Sequence, residues 1–189
     1  MSREIFTSND KYILYPLSEE DRSNYLELNA QIEGDSIILR KHSDCIWESV
    51  MEDTTKFFSI YDYQGEFCGI IELQKPNTTT PRIGISIIEN RRNMGITPSV
   101  VPMFMQKVSK IHNVEYFVIQ IAKSNSHSRH VFEKLGAELI SEQESNIIKA
   151  MKKMLELSGG DKEIYKEYQT ALEEEDHICV YKLNLTDDC

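Results

Sequence analysis

The sequence predicts a mixed α/β fold with a largely antiparallel sheet, and three features carry that reading. Two apolar runs, "KFFSIYDY" and "EFCGIIELQK", are separated only by Gln64-Gly65, a compact hairpin turn with a glycine available for positive φ. A third run, "RIGISIIE", rich in β-branched residues, follows the polar turn "PNTTTP". Stretches with helical spacing lie before this trio, and a helical stretch after it leads into the buried strand "VEYFVIQIA".

The elements follow in order. "KYILYPL" reads as a first strand, after which Ser18 and Asp21 have the spacing of a capping pair that opens an amphipathic run to about Glu33. A short second helix is expected over Asp44 to Glu52. Beyond the three central strands, Thr97 can cap a helix with Pro98 at its first position, where the missing N–H does no harm. Val101, Phe104, Met105 and Val108 continue it at helical spacing to about His112. Pro102 would clash with the carbonyl of Pro98, so a kink or a later effective start is expected. "SHSRHVFEKLG" reads as a short helix ending at Gly136, and "AELISE" and "HICVYKLNL" as the last strands. Between those strands, at about 144–176, two helix-like pieces flank Ser158-Gly159-Gly160. They read as a packed helical hairpin, with a substrate gate or a dimer element as the alternative.

At 189 residues the chain fits a single domain spanning 1–189. Hydrophobic residues make up 40% and charged residues 28%, and no apolar run approaches the roughly 20 residues that span a bilayer, so no membrane partner is expected. The opening "MSREIFTSND" has no apolar core of a secretory signal, and a cytoplasmic location is the expectation. Cys45, Cys68, Cys179 and Cys189 lie far apart and favour free thiols. His127 and His130 form an HxxH without further ligands, so no metal is expected. A net charge of −10 argues against a nucleic-acid partner. The charge is nonetheless uneven: Arg82 to Lys134 carries eight Lys or Arg against three acids, the pattern of a localised anion site or of a solvated surface.

The basic segment contains "ENRRNMGITPSV", in which a strand runs through a glycine turn into a helix. Such a junction clusters outward-pointing backbone N–H groups at the positive end of a helix, a setting suited to a diphosphate. Arg92, Gly95 and Thr97 occupy the outer positions of an RxxGxG/A pattern, with Thr in the last small-residue place. Taken alone, the stretch fits a plain turn as well as an anion loop.

About thirty residues on, "NSHSRHVFEKLGAEL" follows a strand and resembles the NxxSxxxYEKLGF signature of the GNAT N-acetyltransferases, with Asn125, Ser128, Glu133, Lys134, Leu135 and Gly136 in place. Phe132 stands where the family usually has Tyr, and Ala137 where it has Phe. The likeness covers Phe57 to about Leu139, and Ser128 resembles the branch that acetylates ribosomal-protein N-termini.

The resemblance implies a V-shaped, mostly antiparallel central sheet with splayed strands, flanked by helices, with the 144–176 segment as a helical insert before the last strand. It implies acetyl-CoA as co-substrate, its diphosphate held by Arg92, Asn93, Met94, Gly95, Ile96 and Thr97, and its pantetheine arm by Ile87, Ile88 and Asn125. The implied reaction is direct attack by a primary amine of a small molecule or protein N-terminus. Glu89 or Glu72 is the candidate base. Ser128 is the first candidate for the leaving-group acid, since Phe132 cannot donate a proton; His127 and His130 flank it. An inactive acyl-CoA-binding or sensor module is the alternative that Phe132 motivates, and a homodimer is compatible with the sequence.

Overall fold

A computed structural model describes residues 3–33, 43–52, 54–145, 149, 152–153 and 177–185. The expected helical insert lies almost wholly outside the described residues. The chain divides into two compact units, residues 1–118 with 183–189, and residues 119–182.

In the first unit, five strands follow one another in space as in sequence: β1 (Thr7–Ser8), β2 (Tyr12–Pro16), β3 (Lys56–Asp62), β4 (Phe67–Gln74) and β5 (Arg82–Ile87). Every pair is antiparallel, with Leu14 opposite Ile60, Ile60 opposite Gly69, and Gly69 opposite Ile87 in successive ladders. β1 escaped the sequence reading because two residues leave no alternation to detect. The remaining elements of this unit are α1 (Arg22–Glu33), α2 (Ser43–Glu52) and α3 (Ile96–Ile111).

The period-two geometry of β3 explains how both faces of this sheet are covered. Phe58 stacks with Phe6 and with Phe104 of α3, at centroid distances of 4.2 and 5.2 Å. Its neighbour Phe57 points the other way and meets Tyr25 of α1 edge-on at 6.2 Å, and Tyr25 in turn meets Trp47 of α2. Val100, Val101, Phe104 and Val108 of α3 are buried, as are Leu14, Ile60, Ile71 and Ile83 of the strands. Each such side chain contributes about 1.5–3 kcal/mol by leaving water.

α3 departs from expectation at its start. Gly95, at φ 72°, is the N-cap and Ile96 the first helical residue, so Thr97 is not the cap and Pro98 is third rather than first. The first four helical N–H groups have no intrahelical partner, so proline is tolerated throughout that turn. Pro102 sits inside a helix that runs unbroken to Ile111 and does not start late.

β6 (Phe117–Ala122) begins three residues later than the apolar run, because Glu115 N–H donates to Thr79 O (2.8 Å) and Val118 N–H to Pro81 O (2.9 Å). In the second unit β6 is followed spatially by β8 (His177–Leu183) and then β7 (Glu138–Glu144), with α4 (Ser126–Lys134) between β6 and β7 in sequence. β7 and β8 are antiparallel, Glu144 facing His177 at the end that leads into the insert. Ile119, Ile121, Phe132, Cys179 and Tyr181 are among the buried residues of this unit. The fold is mixed α/β with antiparallel strand pairs, as the sequence predicts.

Candidate functional site

β5 delivers the chain into the glycine loop through a tight series of turns. Ile88 N–H extends the ladder by donating to Cys68 O (3.1 Å), after which Glu89–Arg91 form one 3₁₀ turn. Asn93 and Gly95 then take positive φ of 64° and 72°, values that glycine adopts freely and that asparagine tolerates better than most residues. Among the described residues no side chain caps the head of α3, so its first N–H groups remain directed outward. A Cβ built on Gly95 would meet nothing within 4 Å, so the space in front of the loop is open. Open space, uncapped N–H groups and a helix dipole together suit a diphosphate.

The loop is anchored on several sides within the first unit. Ile96 is buried, and Asn9 Nδ2 donates to Ser99 O and Oγ at 3.2 and 3.0 Å, fixing the first turn of α3 to the β1–β2 connection. Gln31 Oε1 of α1 accepts from Glu89 N–H (2.9 Å). Arg91 pairs with Asp62 Oδ2 at 3.2 Å and with Glu66 Oε2 at 3.8 Å, both in the β3–β4 hairpin. Arg92 is exposed, with Nε donating to Ile87 O at 3.3 Å. A cleft of about 280 Å³ beside the loop is lined by Lys11, Tyr12, Asp62, Tyr63, Arg91 and Met94, among others.

Of the residues singled out in the sequence, Ile87, Ile88, Glu89 and Arg92 to Thr97 form one continuous strand-to-helix junction. Glu89 is exposed at its head. Glu72 lies elsewhere on the ladder, opposite Gly84 and three residues before the Ile87 row, about 10 Å along the strand. Its carboxylate lies over the Gly84 backbone and accepts from Gln74 Nε2 at 2.7 Å.

In the second unit Asn125 is the N-cap of α4, its Oδ1 accepting from Ser128 N–H at 3.0 Å. Ser128 is half-buried on the first turn, whereas His127 and His130 are exposed. Phe132 is buried, 3% exposed, and belongs to the packed interior. Lys123 binds Glu142 (2.7 Å), which raises the Lys123 pKa through that hydrogen bond. The Tyr181 hydroxyl donates to Glu133 Oε1 (2.9 Å). Burial, and then the Glu133 carboxylate, push the tyrosine's pKa up to about 12.

Sequence reasoning missed the network around Asp21. This carboxylate is wholly buried; it accepts from Arg3 Nη1 (2.9 Å) and Nη2 (2.5 Å), Ser59 Oγ (2.9 Å), Tyr61 Oη (2.8 Å) and Ser18 N–H (3.0 Å). Burial first, and the bond to Asp21 second, raise the Tyr61 pKa. The Ser18–Asp21 spacing was visible as a capping pair, but nothing local pointed to Arg3. Tyr63 is 55% exposed and donates to Asn9 O at 2.7 Å.

Known proteins place this geometry in context. Spermidine/spermine N-acetyltransferase SpeG from Vibrio cholerae, in complex with manganese ions, is similar at a TM-score of 0.64 and 13% identity, covering 93% of this chain and 93% of that one. The spermidine N-acetyltransferase of the same organism in complex with CoA and spermine is similar at 0.66 and 13%, covering 94% of this chain and 97% of that one. A dodecameric structure of that enzyme in an intermediate state is similar at 0.65 and 14%, covering 94% and 95%. At such identities these likenesses establish the fold alone. No curated protein sequence matches. A family model described as an acetyltransferase (GNAT) domain matches residues 11–138, spanning the glycine loop and the "NSHSRHVFEKLG" segment, and the chain therefore belongs to the GNAT acetyltransferase family.

Proposed function

We propose that the protein transfers an acetyl group from acetyl-CoA to a primary amine by direct attack. The observation that carries this reading is the uncapped, glycine-led head of α3, with open space before Gly95, in a chain of the GNAT family. The backbone N–H groups of Asn93 to Thr97, with Arg92 beside them, hold the diphosphate. The β5 end at Ile87 and Ile88, and the Asn125 side chain, hold the pantetheine arm. Bound acetyl-CoA supplies an activated acetyl thioester.

The chain's own groups then handle protons and charge. Glu89, exposed at the end of β5, or Glu72 takes the proton from the acceptor's ammonium through water. Backbone N–H groups of the β5 end stabilise negative charge developing on the acyl oxygen. Ser128 Oγ–H gives its proton to the departing sulfur and regains one from the nitrogen of the new amide through water; Phe132, a phenyl ring in the buried interior, has no proton to give. The acceptor is a small-molecule amine or a protein N-terminus. The structural likeness to an enzyme solved with spermine supports the small amine, while the net charge of −10 draws cationic acceptors of either kind. No nucleic acid or membrane enters this reading, and among the described residues no helix is long and apolar enough to cross a membrane. A homodimer is the simplest assembly compatible with it.

Phe132 favours one other reading, an inactive module that binds acyl-CoA without turnover. Release of coenzyme A thiol from acetyl-CoA, followed with polyamines, amino acids and short peptides, separates the two. Amine-dependent release supports transfer; tight acetyl-CoA binding with no release for any amine supports the module.

A further inference from the structure

The notable feature of the loop is what Arg91 does not do. Two consecutive arginines precede the glycine turn, yet the side chain of Arg91 is directed into the β3–β4 hairpin. There Asp62 divides its carboxylate between two tasks. Oδ1 accepts from Gln64 N–H (3.0 Å) and Glu66 N–H (2.9 Å), closing the hairpin turn, while Oδ2 accepts from Arg91 Nη1 (3.2 Å). The carboxylate is 12% exposed and the guanidinium 27%, so the pair is better shielded than a surface ion pair. Arg91 ends the 3₁₀ turn, and only Arg92 separates it from Asn93, the first residue with positive φ.

We infer that Asp62 is a positioning residue for the diphosphate loop, acting through Arg91 to hold the strand-to-helix junction in its anion-binding conformation. The inference rests on the proposed role of that loop. Residues at positive φ other than glycine are held against their local preference, so a fixed point immediately before Asn93 lowers the cost of organising the N–H groups. Gln31, bonded to Glu89 N–H, secures the same turn from α1. Arg91 on this account is a clamp, and Arg92 alone of the pair faces solvent to meet an anion.

The test uses Asp62→Asn in the full chain, which keeps an oxygen for the hairpin amides and removes the carboxylate that Arg91 hydrogen-bonds, leaving it only Glu66 at 3.8 Å, with Arg91→Met as a second variant. Acetyl-CoA is expected to bind about tenfold more weakly in each, with the double variant no worse than either single one. The KM for an acetyl-pantetheine thioester, which lacks the diphosphate, should be unchanged, and Arg91→Lys should restore most of the affinity. In the ligand-free protein, amide exchange at residues 93–97 should quicken in both variants. Tighter acetyl-CoA binding by Asp62→Asn would mean that Asp62 withholds Arg91 from the phosphates and would overturn the inference. So would unchanged binding and exchange, or equal losses for the two thioesters. A wild-type protein that binds no acetyl-CoA, with exchange still quickened in the variants, refutes the proposed function and leaves the clamp itself in place.

Discussion

Asp21 shows how much one side chain can carry when every lone pair is used. Its donors come from Arg3 ahead of β1, from the Ser18 turn and from Ser59 and Tyr61 of β3, and Arg3 also lies 4.6 Å over the Tyr15 ring. Removing the carboxylate strands a guanidinium that is 19% exposed, so Asp21→Ala should destabilise the protein by about 3–5 kcal/mol in urea unfolding. Tyr181 gives a prediction in pH. The folded protein holds its phenolic proton more tightly than the unfolded chain does, so its contribution is full below pH 10.0 and is lost as pH climbs towards about 12. Tyr181→Phe should therefore flatten the fall in melting temperature across that interval, at a cost near neutral pH of about 1 kcal/mol. At this scale the sequence was legible where spacing alone sets a role. Ser18 and Asp21 have the spacing of a capping pair and Ser18 N–H donates to Asp21 Oδ2, whereas the partnership of Arg3 with Asp21 depends on sheet register and has no local signal.

The elements were legible wherever hydrophobic period and turn chemistry agreed, as in the β3–β4 hairpin, where Gly65 takes φ 81°. They were less so at α3, where glycine capping and proline at the first position give the same sequence pattern two starts two residues apart. Because the first turn of any helix lacks internal bonds, Pro98 fits either start. Pro102 does interrupt the ladder. Pro102→Ala should restore a donor for Pro98 O and raise stability by about 1–3 kcal/mol in thermal unfolding, without moving the loop. Gly69 works the opposite way. It sits opposite Ile87 at φ 156°, and a Cβ there would lie 2.2 Å from Ser86 O. The obstacle is backbone, so Gly69→Ala should destabilise the β4–β5 pair by about 2–4 kcal/mol and disturb acetyl-CoA binding with it.

For the whole molecule, the order of strands and helices was readable because each central strand is bounded by turn residues and each long helix is amphipathic. The extent of β6 was not, since Glu115, ahead of it, and Val118, within it, bond to the Thr79–Pro81 connection. The insert at about 144–176 falls almost wholly outside the described residues. The glycine loop and the "NSHSRHVFEKLG" segment, read together, pointed to the family that the match over residues 11–138 establishes. Acceptor chemistry was not legible, because glutamates at strand ends are common and Glu72 and Glu89 look alike in sequence.

If the Gly95 loop serves acetyl-CoA-dependent transfer to an amine, Gly95→Trp should abolish that transfer. Gly95 has no neighbour within 4 Å for a side chain to strike, so the indole would fill the space assigned to the ligand, with some strain at φ 72°. The measurement is amine-dependent release of coenzyme A thiol by wild type and Gly95→Trp, with circular dichroism to confirm that both are folded. Release by wild type is expected, with at least a hundredfold loss of kcat/KM for acetyl-CoA, about 2.7 kcal/mol, in the variant. Equal activity in a folded Gly95→Trp protein would remove the loop from the reaction.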